Sequence, residues 1–300
     1  MRWCGAPAID RPRPGAKVSM PVAPVPADGL SQADFERVRA LIHRHAGIAL
    51  GPGKKAMVHS RLSRRLRALG RADFGGYLDD LERGGSAQPE WQAFVNALTT
   101  NLTAFFREAH HFPLLAQHLR RRAAQGPLQL WCCAASSGEE PYSIAMTVLD
   151  AFEPQARPQA SILATDIDTA VLERAREGVY PIDAVARLDP GLLRRHFLRG
   201  SGARQGLVRV RPELASMISF RPLNLLAPRW PMPTRFDAIF CRNVMIYFDP
   251  STQRRVLQRL AQSLKPDGLL FAGHAETLGH ASELFERQGR TVYRLARPAT

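Results

Sequence analysis

From Gly126-Pro127 onward the chain repeats one pattern: a short apolar run, a turn of small residues, then a helical stretch. LQLWCCA reads as a strand and EEPYSIAMTVLDAF as the helix after it. SILATDI and TAVLERAREG repeat the pair, and SMISFRPLN, FDAIFCRN and GLLFAGH are further strands. PSTQRRVLQRLAQSLKPDG is a helix between the last two. Strand–helix alternation of this kind implies a parallel, doubly wound α/β sheet. The end departs from it. ELFERQGRTVYRLAR reads as two strands across a Gln-Gly turn, so an antiparallel hairpin finishes the sheet.

One interruption of about 40 residues separates Tyr180 from Ser219, longer than an ordinary connection. Within it GLVRVR alternates at period two, with Val208 and Val210 on one face and Leu207, Arg209 and Arg211 on the other. Gly200, Gly202 and Gly206 flank it, so a small antiparallel β insert is expected at about 183–217.

Ahead of the sheet the period becomes helical. Ser31 is an N-cap for ADFERVRALIHRHAG, which closes at Gly47, and a second helix runs from Lys54 to Leu69 and stops at Gly70. FGGYLDDLERG and PEWQAFVNALTTNLT complete a helical domain over 31–98, with a linker helix over 99–125 and the sheet domain over 126–300. Residues 1–30 carry six prolines and no period, which reads as a disordered tail. No apolar run approaches the roughly 20 residues of a membrane span, and no apolar signal region follows the N-terminus. Four cysteines in a chain of 300 residues make no disulfide framework, and a reducing cytoplasm fits them.

The turn WCCAASSGEE decides the chemistry. Cys132 and Cys133 are adjacent, so on a strand they point to opposite faces and cannot converge on a metal. Neither is paired with a histidine, which leaves them as buried structural thiols. The small residues that follow let a ligand approach the backbone, but there is no G-x-G-x-x-G for a pyrophosphate. S-adenosylmethionine carries a sulfonium, an ammonium and ribose hydroxyls, and it suits a turn with Glu139 and Glu140 and a second strand closing on Asp166. Glu139 and Glu140 equally complement a helix N-terminus.

TTNLTAFFREAHHF (99–112), SSGEEPYSIAM (136–146), ATDIDTAVLERAREGVY (164–180), FDAIFCRNVMIYF (236–248) and LLFAGHAE (269–276) together resemble the chemotaxis receptor glutamate methyltransferases, the CheR family. The resemblance runs in order from about residue 31 to 297, and only the tail and Trp230-Pro231-Met232 lack a counterpart. It implies a helical N-terminal domain, an S-adenosylmethionine-binding sheet domain with an antiparallel insert, and methyl transfer to receptor glutamates, with S-adenosylhomocysteine as product. Residue by residue it implies cofactor contacts from Asn101, Thr103, Arg107, Glu140, Asp166, Asn224, Leu225, Arg242 and Asn243, with Glu139 an alternative to Glu140. Arg107 and Tyr247 are the candidates for positioning the reacting groups, and His110, His111 and His274 are assigned nothing. No metal is called for.

The charge balance, 41 Lys+Arg against 27 Asp+Glu for a net of +14, asks for an acidic partner or a solvated basic surface. In KKAMVHSRLSRRLRALG, Val58, Leu62, Leu66 and Leu69 form an apolar stripe, with Arg61, Arg64, Arg67 and Arg71 largely opposite. Those arginines, Arg61, Arg64 and Arg67 above all, are expected to dock on the acidic methylation helices in the cytoplasmic domains of chemotaxis receptors. The resemblance further implies a cytoplasmic monomer recruited to membrane receptor arrays without inserting, and, in some members, an insert that grips a C-terminal receptor peptide. A nucleic-acid methyltransferase would use the same sheet, but RNVMIYF lacks the prolines of the N/D-P-P-Y turn after the fourth strand. A non-catalytic binding module is the other alternative, and the presence of Arg107, Asp166 and Tyr247 speaks against it.

Overall fold

The structure, a computed structural model, describes Arg2–Trp3 and residues 29–85, 88–232 and 234–296. The chain divides into two compact units, residues 4–100 and residues 1–3 with 101–300. Of the stretch 1–30 expected to be disordered, Arg2–Trp3 form a short strand, β1, and residues 4–28 lie outside the described residues.

The first unit holds four helices, α1 (Gln32–Ala46), α2 (Lys55–Leu69), α3 (Phe74–Gly84) and α4 (Pro89–Leu98). Ser31 caps α1 by accepting from the Asp34 N–H at 3.0 Å, and Asp73 caps α3 in the same way. Gly47 and Gly70 end α1 and α2 in the left-handed conformation, at φ 71° and 65°. Phe35, Val38, Ile42, Val58, Leu62, Leu66, Leu78 and Phe94 are fully buried and form the core. Leu69, expected on the same stripe, is 41% exposed, as the last residue of α2 before the Gly70 cap turns the chain away.

In the second unit, α5 (His111–Arg122) precedes β2 (Leu128–Cys132), α6 (Glu139–Asp150), β3 (Ala160–Asp166) and α7 (Thr169–Glu177). Next come β4 (Val179–Pro181), α8 (Pro190–His196), β5 (Phe197–Gly200), β6 (Leu207–Val210) and α9 (Pro212–Ala215). The chain closes with β7 (Ile218–Pro222), β8 (Phe236–Cys241), α10 (Pro250–Ser263), β9 (Leu264–Ala272), β10 (Phe285–Gly289) and β11 (Val292–Leu295).

Seven strands form the main sheet in the order β10-β11-β9-β8-β2-β3-β7. β8, β2, β3, β7 and β9 run parallel, and β11 lies antiparallel between β9 and β10. The final turn falls at Arg290-Thr291, slightly beyond the expected Gln-Gly, with Thr291 at φ 53°. Every residue of β8 is buried, as a central parallel strand covered on both faces requires. The chain crosses from one side of β2 to the other between β7 and β8, so strand order reverses at β2/β8 and leaves a crevice beyond their C-terminal ends. Between β7 and β8 no helix occurs among the described residues. Trp230 packs edge-on against the buried Trp131 instead, 5.0 Å between centroids, with the Arg259 guanidinium 4.0 Å above it.

The insert is a second sheet in the order β1-β5-β6-β4. It starts at Val179, earlier than the expected 183, because Val179–Pro181 pairs antiparallel with β6. Val208 and Val210 point inward and Arg209 outward, as the alternation requires.

Candidate active site

Three chain segments converge on the β2/β8 crevice. The first is the turn after β2. Gly138 sits at φ 102°, and a Cβ there would come within 2.6 Å of the Tyr180 hydroxyl, so only glycine fits. That hydroxyl donates to the Ser137 carbonyl at 2.8 Å and holds the turn shut. Ser136, at φ 48°, aims its N–H at Asp166 Oδ2, 2.8 Å away, while Asp168 N–H donates to Oδ1 at 2.9 Å. Asp166 is 8% exposed. Burial lifts its carboxyl to about 6, against the pull of these backbone donors. The Ile167 backbone is a third donor to it, and a carboxylate accepts about four hydrogen bonds, so capacity for a further hydroxyl remains.

The second segment, residues 101–110, was expected to be part of a linker helix. It is irregular, and the helix starts only at His111. Phe106 and Glu108 adopt φ 51° and 56°, which no continuous helix allows. Side chains replace the helical bonds. Asn101 Nδ2 donates to Asp168 Oδ2 at 2.8 Å, Ser136 Oγ to the Asn101 carbonyl at 3.0 Å, and Phe106 N–H to Ser143 Oγ at 2.9 Å. Arg107 donates to the Leu102 carbonyl at 2.8 Å, and buried Phe105 stacks edge-on against Tyr180 and Phe197. Thr103 is half-buried.

At the floor is a buried ionic cluster. Arg242, 3% exposed, donates to Glu140 Oε2 and to the Arg107 carbonyl, both at 2.5 Å, and lies 3.5 Å from Glu108 Oε2. Cys132 Sγ donates to the other Glu140 oxygen at 3.3 Å. Burial raises the Glu140 carboxyl, and Arg242 works against that rise. Glu108 ends lower. Burial opposes its charge, but Arg242, His274 and Asn243 outweigh it and hold it at about 2. Burial pushes the thiols of Cys132 and Cys133 well up, as structural cysteines require. Glu139 instead bonds Ser137 Oγ at 2.8 Å on the turn, so the geometry puts Glu140, not Glu139, in the ionic cluster.

The third segment follows β8. Asn243 is at φ 58°, and its N–H donates to Glu276 Oε2 at 2.8 Å. Glu276, 4% exposed, also accepts from the N–H groups of Val244, Met245 and Gly273 at 2.6–2.8 Å. Its carboxylate thus fixes the backbone that presents Asn243 and, on the next turn, the half-buried Tyr247. Phe106, Glu108, Ser136 and Asn243, four of the five left-handed non-glycine residues described, lie in these segments, and strain of this kind concentrates at functional sites.

The crevice therefore joins Asn101, Arg107, Glu140, Asp166, Arg242 and Asn243 through bonds to one another or to shared neighbours. Asn224 lies two residues beyond β7, with Oδ1 accepting from Leu226 N–H at 2.8 Å. Leu225 is buried in the apolar cluster around Trp131. Glu108 and Glu276 carry structural weight here and were assigned nothing from sequence. The signal was present, an acid directly beside Arg107 and another closing LLFAGHAE. Glu108, His110 and His111 bring ligand atoms within 4.8 Å of one another, but the adjacent Arg242 cation already serves as the partner of Glu108.

In the helical unit the arginines divide. Arg61 donates to the carbonyls of Leu98 and Thr99 at 2.9 and 2.7 Å, closing the end of α4. Arg64 and Arg67 are exposed, Arg65 is bound to Glu90, and Arg71 to Asp80.

A sheet with an antiparallel strand inserted next to its last edge, a buried carboxylate closing β3 and a small-residue turn after β2 is the architecture of an S-adenosylmethionine-dependent methyltransferase. Residues 101–294 match the family described as CheR methyltransferase, SAM binding domain, and residues 33–99 its all-alpha domain. The chemotaxis protein methyltransferase of Escherichia coli (strain K12) is 56% identical over 268 residues, covering 89% of this chain and 92% of that protein. Chemotaxis protein methyltransferase 2 of Pseudomonas aeruginosa is 50% identical, covering 88% and 93%. The chain belongs to the CheR methyltransferase family, and S-adenosylmethionine is its cofactor.

Proposed function

We propose that the protein transfers a methyl group from S-adenosylmethionine to glutamate carboxylates of chemotaxis receptors, forming methyl esters. The observation that carries this reading is the match of both parts of the chain, 33–99 and 101–294, to one family whose similar members are chemotaxis methyltransferases.

The residues fit the cofactor. Asp166 has acceptor capacity for a ribose hydroxyl, and Asn224 with Leu225 frame the adenine beyond β7. Glu140, Arg242 and Asn243 form the floor under the amino-acid end, with Asn101, Thr103 and Arg107 as the facing wall. Bound there, the cofactor supplies an electrophilic methyl on a cationic sulfur. The sulfur would leave as a neutral thioether and the acceptor's own carboxylate would be the nucleophile, so the residues lining the crevice would need to supply neither acid nor base. No proton moves. A glutamate acceptor with a pKa near 4.3 is already ionised, so the site needs alignment and exclusion of water rather than a base. Arg107 and Tyr247 orient the acceptor.

Substrate recognition is assigned to the exposed Arg64 and Arg67 of α2, with Arg61 shaping the end of α4 beside them. Nucleic acid is not a partner in this reading, and the protein acts as a cytoplasmic monomer recruited to receptor arrays. The insert takes a C-terminal receptor peptide of aromatic and acidic character by β-augmentation, raising local substrate concentration without touching the chemistry. Removing that peptide from the receptor should slow methylation at low substrate while kcat at saturation persists. A kcat that falls as well would contradict the tether.

A further inference from the structure

The insert's outer edge is already taken by the chain itself. β5 pairs antiparallel with β6 on one side, and on the other it pairs parallel with Arg2–Trp3, in the register Arg2 to Arg199 and Trp3 to Gly200. The opposite edge, β4, is three residues long and ends in Pro181, which has no N–H to donate. Phe197–Gly200 carries a donor at every position, so β5 is the edge that an extended peptide would extend. Glycine at 200 serves the chain's own turn, since a Cβ there would come within 2.1 Å of the Arg204 carbonyl oxygen. Gly202 and Gly206, at φ 59° and 83°, complete that turn, so these glycines set the strand end rather than a peptide groove.

We propose that Arg2–Trp3 is a built-in occupant of the β5 edge, which an incoming peptide must displace before it can bind. The proposal rests on the tether reading above and adds its regulation. Two residues form few ladder bonds, so the segment is held loosely enough to exchange, yet its covalent attachment keeps it at high local concentration. The fraction of molecules with an open edge then scales the apparent affinity for peptide. The exposed Arg199 and Arg209 beside the edge favour an acidic sequence in the displacing strand.

The test uses the full chain and its Arg2→Pro/Trp3→Pro variant, which cannot donate ladder N–H groups from either position. Hydrogen exchange at the backbone amides of residues 198–201 reports occupancy of the edge. Titration with a fluorescent acidic, aromatic pentapeptide reports competition. The proposal expects faster exchange at these amides in the variant and roughly tenfold tighter peptide binding, the gain being set by the freed fraction. Equal exchange in the two proteins overturns it. So does peptide binding that is tight and equal in both, which would leave the tether itself standing. Peptide binding by neither protein overturns the tether and the competition together.

Discussion

Asp166 links the residue scale to function most directly. Its carboxylate already accepts backbone N–H bonds from Ser136, Ile167 and Asp168, and burial holds its pKa at about 6. Ribose hydroxyls donate more strongly to the ionised form than to the neutral acid. Cofactor affinity is therefore expected to be flat above pH 7 and to weaken as pH falls through about 6, where protons compete for the site. Calorimetry between pH 5 and 8 checks this, and an affinity unchanged at pH 5 would remove Asp166 from the ribose. Asp166→Ala should weaken binding by about 1.5–3 kcal/mol, the worth of hydrogen bonds to a charged group. His111 carries a second pH signature. Buried and close to Arg242, it is depressed to about 3, below its unfolded value of 6.5. A depressed folded pKa gives stability that is full above pH 6.5 and lost as pH falls toward 3. Urea midpoints should drop over that window, and His111→Asn should flatten the slope; an unaltered slope would assign the loss to other groups. Asp166 could be singled out from sequence because it ends a strand. The Arg242 cluster could not be assembled there, since Glu108, Glu140 and Arg242 meet only once three segments fold together.

Among the elements, the caps and the core strands were legible and the linker was not. Ser31, Gly47 and Gly70 mark helix ends because each residue type satisfies a terminal backbone group or a left-handed angle. Residues 101–110 hid their shape because Phe106 and Glu108 are not residues that advertise a positive φ. Tertiary bonds from Ser143 and Asp168 impose it. The loop after β8 depends likewise on Glu276, whose carboxylate takes four backbone N–H groups. Glu276→Gln turns one of those acceptors into a donor facing donors, so cofactor affinity should fall at least tenfold, while Glu276→Asp should retain part of it. Equal affinity in the Gln variant would show that Asn243 needs no such support. On α2 the structure separates two roles. Arg61→Ala should cost about 1–2 kcal/mol of stability through the lost closure of α4. Arg64→Ala/Arg67→Ala should leave stability alone and raise the receptor KM, more so at low salt. Normal receptor kinetics in that double variant would return the face to solvent.

At the scale of the whole molecule, a basic chain of net charge +14 and an anionic acceptor that is already ionised fit one account, the proposed enzyme that docks on acidic helices and aligns the nucleophile. The turnover rate with saturating cofactor should be nearly level from pH 6.5 to 8, since no protein group need gain or lose a proton in the reaction. The most direct measurement follows methyl incorporation from labelled S-adenosylmethionine into a receptor cytoplasmic fragment, with DNA and RNA as parallel acceptors. The account predicts label on the receptor fragment alone, in a form released as methanol by mild base, as a glutamate ester requires. Label that stays on the fragment in base, or that enters nucleic acid instead, would contradict it.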